Sequence, residues 1–339
     1  MKRLLLIALA LVACAKQPEQ PATSATKPQL TKVTLNLNPS LTYGPLMIAK
    51  AEGFFAAEGI DAEFASLDSN SALAATVAGK LDVLSAGVRS GVFNMIRRGE
   101  ALQVVADKGH SQKTDCTAEA FVAPPAMAQR IAEKKSIRGE RIALVRGGVA
   151  EYLIVRLLEH FDVTANDVVL VNLPQGAPVS SREQLDAIRY TSEPHLSSLV
   201  AGNAAKIIAT TEEVAPGHQS TIIVYGKRLL RDDPELGRRF MRAYLRGVRR
   251  FNEGLTDRNV AIFSRYTKLP PEIIRKTCLT SIANDGRVDP KAVQPFLDWA
   301  LEKRYLDGPV ETSAWWNPSF IEAAVPRSLG SSVPRGTQP

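Results

Sequence analysis

Residues 32–60 read KVTLNLNPSLTYGPLMIAKAEGFFAAEGI and change their secondary-structure pattern twice. Apolar and polar residues alternate over 32–38, as they do along a half-buried strand. The stretch Tyr43-Gly44-Pro45 then opens an apolar helical segment, in which proline suits the first turn. Gly59 ends that segment, and residues 60–67 predict a second strand. These residues therefore predict a strand, a helix and a strand in close succession.

The same alternation continues along the chain. Further strands are predicted at 81–85, 102–106, 141–145, 168–173, 185–190, 207–210 and 221–225, with helices at 72–78, 87–98 and 151–161. From Pro234 onward the pattern is helical, over 236–251, 259–266, 271–282 and 290–303. Alternating strands and helices with short connections are typical of a mostly parallel sheet with covering helices. We predict an α/β fold of two lobes followed by a helical C-terminal third.

The composition is that of a globular protein. The 339 residues are 45% hydrophobic and 23% charged, which excludes a disordered, collagen-like or coiled-coil chain. The net charge of +7 is spread along the chain, and aromatic residues make up only 6%. Because aromatic side chains are sparse, we expect no nucleic-acid partner. The positive charge is compatible with an ordinary solvated surface, with anionic ligands or with anionic lipid headgroups.

The first residues predict export. Lys2 and Arg3 precede an apolar run over 4–13, which is shorter than the roughly 20 residues that a membrane-spanning helix needs. The tetrad Leu11-Val12-Ala13-Cys14 resembles a bacterial lipobox, whose cysteine is acylated after cleavage. We therefore predict a membrane-anchored lipoprotein; an ordinary secretory signal with an incidental cysteine is the alternative.

The predicted processing divides the ends of the chain from its folded body. The signal peptide covers 1–13, the lipidated Cys14 begins a flexible tether over 14–31, and a disordered tail covers 328–339. The two remaining cysteines, Cys116 and Cys278, have no metal or redox spacing. An oxidising compartment permits a disulfide between them, and two buried free thiols are the alternative.

The sequence contains no local catalytic motif. The four histidines, His110, His160, His195 and His218, lack the spacing of a metalloenzyme. The stretch Gly87-Val88-Arg89-Ser90-Gly91 places its serine one position too late for a nucleophile elbow. We therefore expect a protein without enzymatic activity, cofactor or metal, although distant residues could still assemble a catalytic site.

A binding site is easier to place than a catalytic one. In open α/β sheets, ligands bind beyond the carboxyl ends of the strands, where helix N-termini favour anions. The candidate ligand-binding residues are Asn38, Ser40, Thr42, Tyr43, Ser69, Asn70, Gly87, Val88 and Arg89 in the first lobe, and Arg146, Gly148, Val149, Gln175, Arg189, Tyr190 and Glu193 in the second. The three arginines can hold an oxyanion through paired hydrogen bonds. Glu151 and Glu193 would instead suit a cation, so the charge of the ligand stays open at this point.

Several stretches together resemble one protein family. Residues 43–61, with Tyr43-Gly44-Pro45 and Gly53-Phe54-Phe55, are similar to a signature of the solute-binding proteins that serve ABC importers of nitrate, sulfonates, taurine or thiamine-pyrimidine precursors. Residues 78–83, 137–143, 193–194 and 265–272 resemble later family segments in the same order. The sequence differs from the family pattern over 68–71, at Ser192 and over the polar stretch 108–118, where ligand contacts are expected.

The resemblance implies a two-lobed periplasmic binding protein type II fold that closes around a small molecule. It places 32–121 and 223–327 in lobe 1 and 122–222 in lobe 2, so Cys116 and Cys278 share a lobe. It implies a monomer on the periplasmic face of the cell membrane that delivers a small anionic organic solute to an ABC permease. The alternatives are an enzyme similar to the pyrimidine-precursor synthases and an extracytoplasmic ligand sensor.

Overall fold

The computed structural model describes residues 29–173 and 186–324. The strands are β1 Thr31–Asn36, β2 Ile60–Ala65, β3 Val83–Gly87, β4 Gln103–His110, β5 Glu119–Ala123, β6 Arg141–Leu144, β7 Val169–Asn172, β8 Ile188–Ser192, β9 Lys206–Thr210 and β10 Gln219–Tyr225. The helices are α1 Gly44–Ala51, α2 Phe54–Ala57, α3 Ser69–Val77, α4 Ser90–Arg97, α5 Pro125–Lys134, α6 Val149–His160, α7 His195–Ala201, α8 Thr211–Val214, α9 Pro234–Phe251, α10 Asp257–Thr267, α11 Pro271–Ile274, α12 Pro290–Glu302, α13 Thr312–Trp315 and α14 Ser319–Ala324.

Some predictions fall outside these residues. They are the signal peptide 1–13, the lipidated Cys14, most of the tether, the ligand candidate Gln175 and the tail 328–339. Across the two described ranges, none of the helices has the length and apolar character that a membrane crossing requires.

The strands form two five-stranded sheets, in the orders β2-β1-β3-β10-β4 and β7-β6-β8-β5-β9. Each sheet contains one reversed strand. Strand β10 is antiparallel to both β3 and β4, and β5 is antiparallel to both β8 and β9. The predicted two-lobed α/β fold is confirmed, and its sheets are mixed.

The chain passes between the two sheets twice. Segment 111–118 leads from β4 to β5, and segment 211–218, which includes α8, leads from β9 back to β10. The first sheet therefore combines strands from 31–110 with one from 219–225. The residue bounds predicted for the lobes, 32–121 with 223–327 and 122–222, stay a prediction.

Close packing of α1 on α9 holds the loop after β1 in place. Both helices bury apolar faces, and Leu46, Tyr244 and Val248 are fully buried. Gly247 permits the contact, because a side chain there would come within 2.2 Å of the Pro45 carbonyl oxygen. The predicted helix 271–282 is wrong in length, since α11 ends at Ile274. The chain beyond it turns away to join the Cys116–Cys278 disulfide.

Candidate functional site between the two sheets

Tyr43 and two asparagines form a hydrogen-bonded group near the carboxyl end of β1. The Tyr43 hydroxyl donates to the Ser85 carbonyl oxygen at 3.0 Å and accepts from the amides of Asn36 and Asn38 at 3.3 and 3.4 Å. Burial raises the pKa of Tyr43 to about 12, so the phenol stays neutral. Asn36 is also bonded to the Ser85 backbone in both directions. The group therefore ties the loop after β1 to β3.

A buried lysine lies against this group. Lys108, on β4, is 1% exposed. Its Nζ lies 3.9 Å from the centroid of the Tyr43 ring and donates to Thr42 Oγ1 at 3.3 Å. Burial lowers the pKa of Lys108 to about 7, and the negative charges of Glu119 and Asp107 only partly oppose this shift. The Lys108 ammonium therefore lies against Thr42 and Tyr43, two residues of the first predicted ligand loop.

A buried carboxylate lies beside the lysine. Glu119, the first residue of β5, accepts a hydrogen bond from Ser220 Oγ at 2.7 Å and another from the Tyr190 hydroxyl. His218 Nε2 lies 3.7 Å from the Glu119 carboxylate. Burial by itself would raise the pKa of Glu119, but these contacts outweigh it and hold the pKa below its usual range. The carboxylate is therefore well satisfied by its own neighbours.

Two loops from opposite sheets meet next to these side chains, and the Val88 amide donates to the Ser220 carbonyl oxygen at 2.9 Å. The Val149 amide donates to the Val88 carbonyl oxygen at 3.0 Å, and Arg89 and Gly148 form an antiparallel bridge. The amide and the hydroxyl of Ser90 both donate to the Gly147 carbonyl oxygen, at 3.3 and 3.0 Å. The carboxyl ends of β3 and β6 are therefore joined by backbone hydrogen bonds across the cleft.

Gly87 lies where the two loops approach each other most closely. A side chain there would meet the Ser220 carbonyl oxygen at 3.6 Å and Val149 at 3.8 Å. Both distances are ordinary van der Waals contacts, so an added methyl group would fill the remaining space between the two loops. The cleft is narrow where β3 ends.

The three predicted arginines lie in different surroundings. Arg89 donates to Asn70 Oδ1 at 2.6 Å, which joins two predicted site residues of the first lobe. Arg146 turns outward and bonds to Asn172 Oδ1 at 2.8 Å and to the Tyr305 hydroxyl at 3.4 Å. Arg189 lies in β8 and is 4% exposed, and burial lowers its pKa. Arg89 and Arg146 therefore bond to different side chains, and the arginine clamp on a ligand stays a prediction.

Glu193 lies at a different place from the other candidates. Its carboxylate accepts from the Ser197 amide at 3.0 Å, from Ser197 Oγ at 2.6 Å and from the Cys278 amide at 3.1 Å. Burial raises its pKa against the effect of these hydrogen bonds. Cys278 is itself paired with Cys116 in a disulfide whose Cα atoms are 5.8 Å apart. Glu193 therefore holds the lobes together beside the disulfide.

Ser40 and Ser69, two further candidates, follow strands β1 and β2 in the chain. Ser40 Oγ accepts from the Thr42 amide and so shapes the turn that carries Tyr43. Ser69 is the first residue of α3 and directly precedes Asn70 in the chain.

The sequence analysis missed four buried side chains at the centre of the cleft: Lys108, Glu119, His218 and Ser220. A sequence signal existed for Lys108 alone, which begins the polar stretch 108–118 that departs from the family pattern. No group of three histidine, cysteine, aspartate or glutamate side chains suited to a metal ion occurs within residues 29–173 and 186–324.

Comparison with known proteins agrees with this architecture. A curated relative, the riboflavin-binding protein RibY of Chloroflexus aurantiacus, is 26% identical over 257 residues, which is 72% of this chain and 71% of the relative.

Among solved structures, the periplasmic nitrate-binding protein NrtA of Synechocystis PCC 6803 superposes with a TM-score of 0.68 at 16% identity, over 88% of this chain and 89% of that one. The alkanesulfonate-binding protein SsuA of Xanthomonas axonopodis pv. citri, bound to MOPS, has a TM-score of 0.64 at 17% identity, over 86% and 99% of the two chains. The desulfurization enzyme DSZB shares the fold with a TM-score of 0.59 at 15% identity, over 86% and 98%.

The family model described as NMT1/THI5 like matches residues 40–253, more than half of the chain. This range includes the loops that meet across the cleft and the buried side chains next to them. The chain belongs to the NMT1/THI5-like family.

Proposed function

We propose that this protein is the extracytoplasmic solute-binding component of an ABC importer and that it captures a small organic anion. The observation that carries the proposal is the direct meeting of the β3 and β6 loops next to a buried polar group. Ligand sites of open α/β folds lie at such strand ends. The relative RibY and the structures of NrtA and SsuA, all named as binding proteins, support the same role.

The proposed capture needs no covalent chemistry. Loops on the two lobes close over the solute and exclude water, which strengthens each polar contact inside. The Val88–Val149 and Ser90–Gly147 hydrogen bonds are the contacts that closure would make and release would break. The binding energy comes from the solute itself, which must bridge groups on both sides of the cleft.

The alternative of an enzyme on this fold receives less support from the site. Cys116 and Cys278, the two cysteines within the described ranges, are paired in a disulfide, so neither offers a thiolate nucleophile. A direct test is to incubate the protein with each bound compound and to recover the compound by mass spectrometry. Recovery of unchanged compound supports binding, and steady turnover would contradict it.

Thermal unfolding with a compound panel tests the binding function. The panel contains alkanesulfonates, taurine, nitrate, carboxylates, pyrimidines and riboflavin. A compound present at 100 times its dissociation constant should stabilise the folded state by about 2.7 kcal/mol. A folded protein that none of these classes stabilises would contradict the proposal.

We also propose that Cys14 carries the lipid anchor on the periplasmic face of the membrane and that the protein acts as a monomer beside its permease. The lipobox-like tetrad before Cys14 supports this. Wild type should partition into detergent and the Cys14→Ala variant into the aqueous phase. Cellular uptake of the bound solute should require this protein; binding without any effect on uptake would favour a sensor.

A further inference from the structure

Lys108 is a buried cation whose hydrogen-bonding capacity is largely unused. An ammonium group carries three N–H donors. Within the described residues, the structure gives Nζ one hydrogen-bond acceptor, Thr42 Oγ1 at 3.3 Å, together with the face of the Tyr43 ring. A charge that is removed from water normally gains a carboxylate or several acceptors in exchange. Lys108 therefore keeps N–H donors for which the described residues supply no acceptor.

The nearby negative charges do not fill this role. Glu119 is engaged by Ser220, Tyr190 and His218. Asp107, the residue before Lys108, accepts from four donors of its own: the amides of Gly109 and Ala283, the His110 ring and the Gln219 amide. Both carboxylates attract the ammonium through space, but neither shares a hydrogen bond with it. The two carboxylates stabilise the positive charge while leaving its donors available.

We propose that the Lys108 ammonium binds the anionic group of the solute and decides the selection of anions over neutral compounds, an inference that rests on the proposed function. The ligand class is a sulfonate, carboxylate or phosphate whose oxygen atoms accept from Nζ. Thr42 positions the ammonium, and the Tyr43 ring covers the side opposite to the solute.

Matched pairs of compounds test this proposal: butanesulfonate with butanesulfonamide, and riboflavin 5′-phosphate with riboflavin. In each pair the shape is similar and the charge differs. Lys108→Met should weaken binding of the anion by roughly tenfold to a hundredfold, the range for a hydrogen bond to a charged group. It should leave binding of the neutral partner unchanged, which a merely structural role of Lys108 would not predict.

The chain offers a matched control in Lys50. Its Nζ also lies over an aromatic ring, that of Phe64, at 4.9 Å from the centroid, but it donates to the Ala62 carbonyl oxygen of β2 and its residue is exposed. Lys50→Met should leave the affinity for every compound unchanged. Equal binding of an anion by wild type and Lys108→Met would overturn the inference, as would equal affinity of wild type for the two members of each pair.

A wild-type measurement covers the case in which Lys108→Met does not fold. Anion affinity should be highest below about pH 7 and should fall by up to tenfold per pH unit above it, because the free lysine loses its proton there. The other titratable groups facing this region are Asp107 and His110 on β4, Tyr43, Glu119, Tyr190 and His218. The Thr42→Val variant, which removes the one acceptor, should move this pH profile, whereas His110→Gln should not.

An affinity for the anion that stays level from pH 6 to 9 would overturn the inference. If folded wild type binds neither member of either pair while another compound class stabilises it, the inference fails and the solute-binding function stands. If no compound of any class binds, the proposed function fails.

Discussion

The two lobes touch on two sides of the cleft, and the two contacts differ in chemistry. On one side, which we call the hinge side, lie the crossing segments 111–118 and 211–218, the disulfide and the Glu193 carboxylate. On the other side, which we call the helix side, α6 packs on α12. Tyr152 meets Phe296 and Trp299 edge-on, with ring centroids 6.0 and 5.7 Å apart.

This difference indicates which side opens. Separation of the hinge side would leave a carboxylate and amide groups without partners, and such groups are expensive to leave unpaired. The helix side is apolar apart from the Tyr305 hydroxyl, which donates to Glu151 at 3.0 Å and accepts from Arg146 at 3.4 Å. The free energy needed to separate two apolar surfaces grows with the area they bury, and the apolar contact itself leaves no polar group unpaired. We therefore expect stability to depend on the hinge side and closure on the helix side.

The largest effect is expected from loss of the disulfide. The double variant Cys116→Ser with Cys278→Ser opens a loop between residues 162 positions apart, and the entropic model gives about 5 kcal/mol for a loop of that size. Urea unfolding without reductant should show a loss of about 2–5 kcal/mol. Reductant should destabilise wild type and leave the double variant unchanged. A loss below about 1 kcal/mol would mean that noncovalent contacts alone hold the hinge side.

Glu193→Gln should give the next largest loss. Its amide group would present a donor to the Ser197 amide, which now donates to the carboxylate at 3.0 Å. One unpaired buried group lowers the free energy of unfolding by about 1–3 kcal/mol. Glu272→Gln, at an exposed position of α11, is the matched control and should stay within about 0.5 kcal/mol of wild type. An equal free energy of unfolding for the two variants would show that the Glu193 hydrogen bonds do not stabilise the hinge side.

The sequence predicted the fold because its information is local. Alternation over 32–38, the proline after Gly44 and the stop at Gly59 fix strand, helix and turn without reference to distant residues. The same local reading placed Tyr43, Asn38 and Thr42 at a strand end, where the structure has them. It failed over 271–282, because the disulfide partner of Cys278 lies 162 positions away in the chain.

The centre of the site could not be predicted in this way. Lys108 and Ser220 are brought near each other because β10 inserts between β3 and β4, an arrangement that no local pattern reveals. Side-chain direction was equally hidden: Arg146 follows a strand as expected, but it turns toward Tyr305, 159 positions later in the chain. Strand ends were predictable, whereas the partners of the side chains on them were not.

The helix side should control closure. Tyr152→Leu keeps an apolar residue on α6 but removes both aromatic contacts, which contribute about 1–3 kcal/mol together. The ligand-free protein should become more open, with a larger radius of gyration in small-angle X-ray scattering. Tyr266→Leu is the matched control, since Tyr266 pairs edge-on with Phe64 at 6.0 Å inside one lobe. Its radius should not change, and an equal change in both variants would contradict the assignment of the helix side.

The smallest effect is a pH dependence that comes from His110, the last residue of β4, next to the hinge side. The Asp107 carboxylate accepts from His110 at 2.8 Å, and this hydrogen bond raises the pKa of His110. A histidine whose folded pKa is raised contributes stability that is full below its unfolded pKa of about 6.5 and is lost as pH rises through the folded pKa. Lys108 acts in the opposite sense, because its pKa of about 7 makes stability grow with rising pH.

The contribution of His110 is therefore measured as a difference. The free energy of unfolding of wild type minus that of His110→Gln should fall by less than about 1 kcal/mol as the pH rises from 6 to 8. The Lys108 contribution cancels in this difference, since both proteins retain that residue. His160→Gln, at an exposed position on α6, is the matched control for the substitution itself. A level difference for His110→Gln would contradict this prediction and show that the Asp107 hydrogen bond forms equally well with the neutral ring.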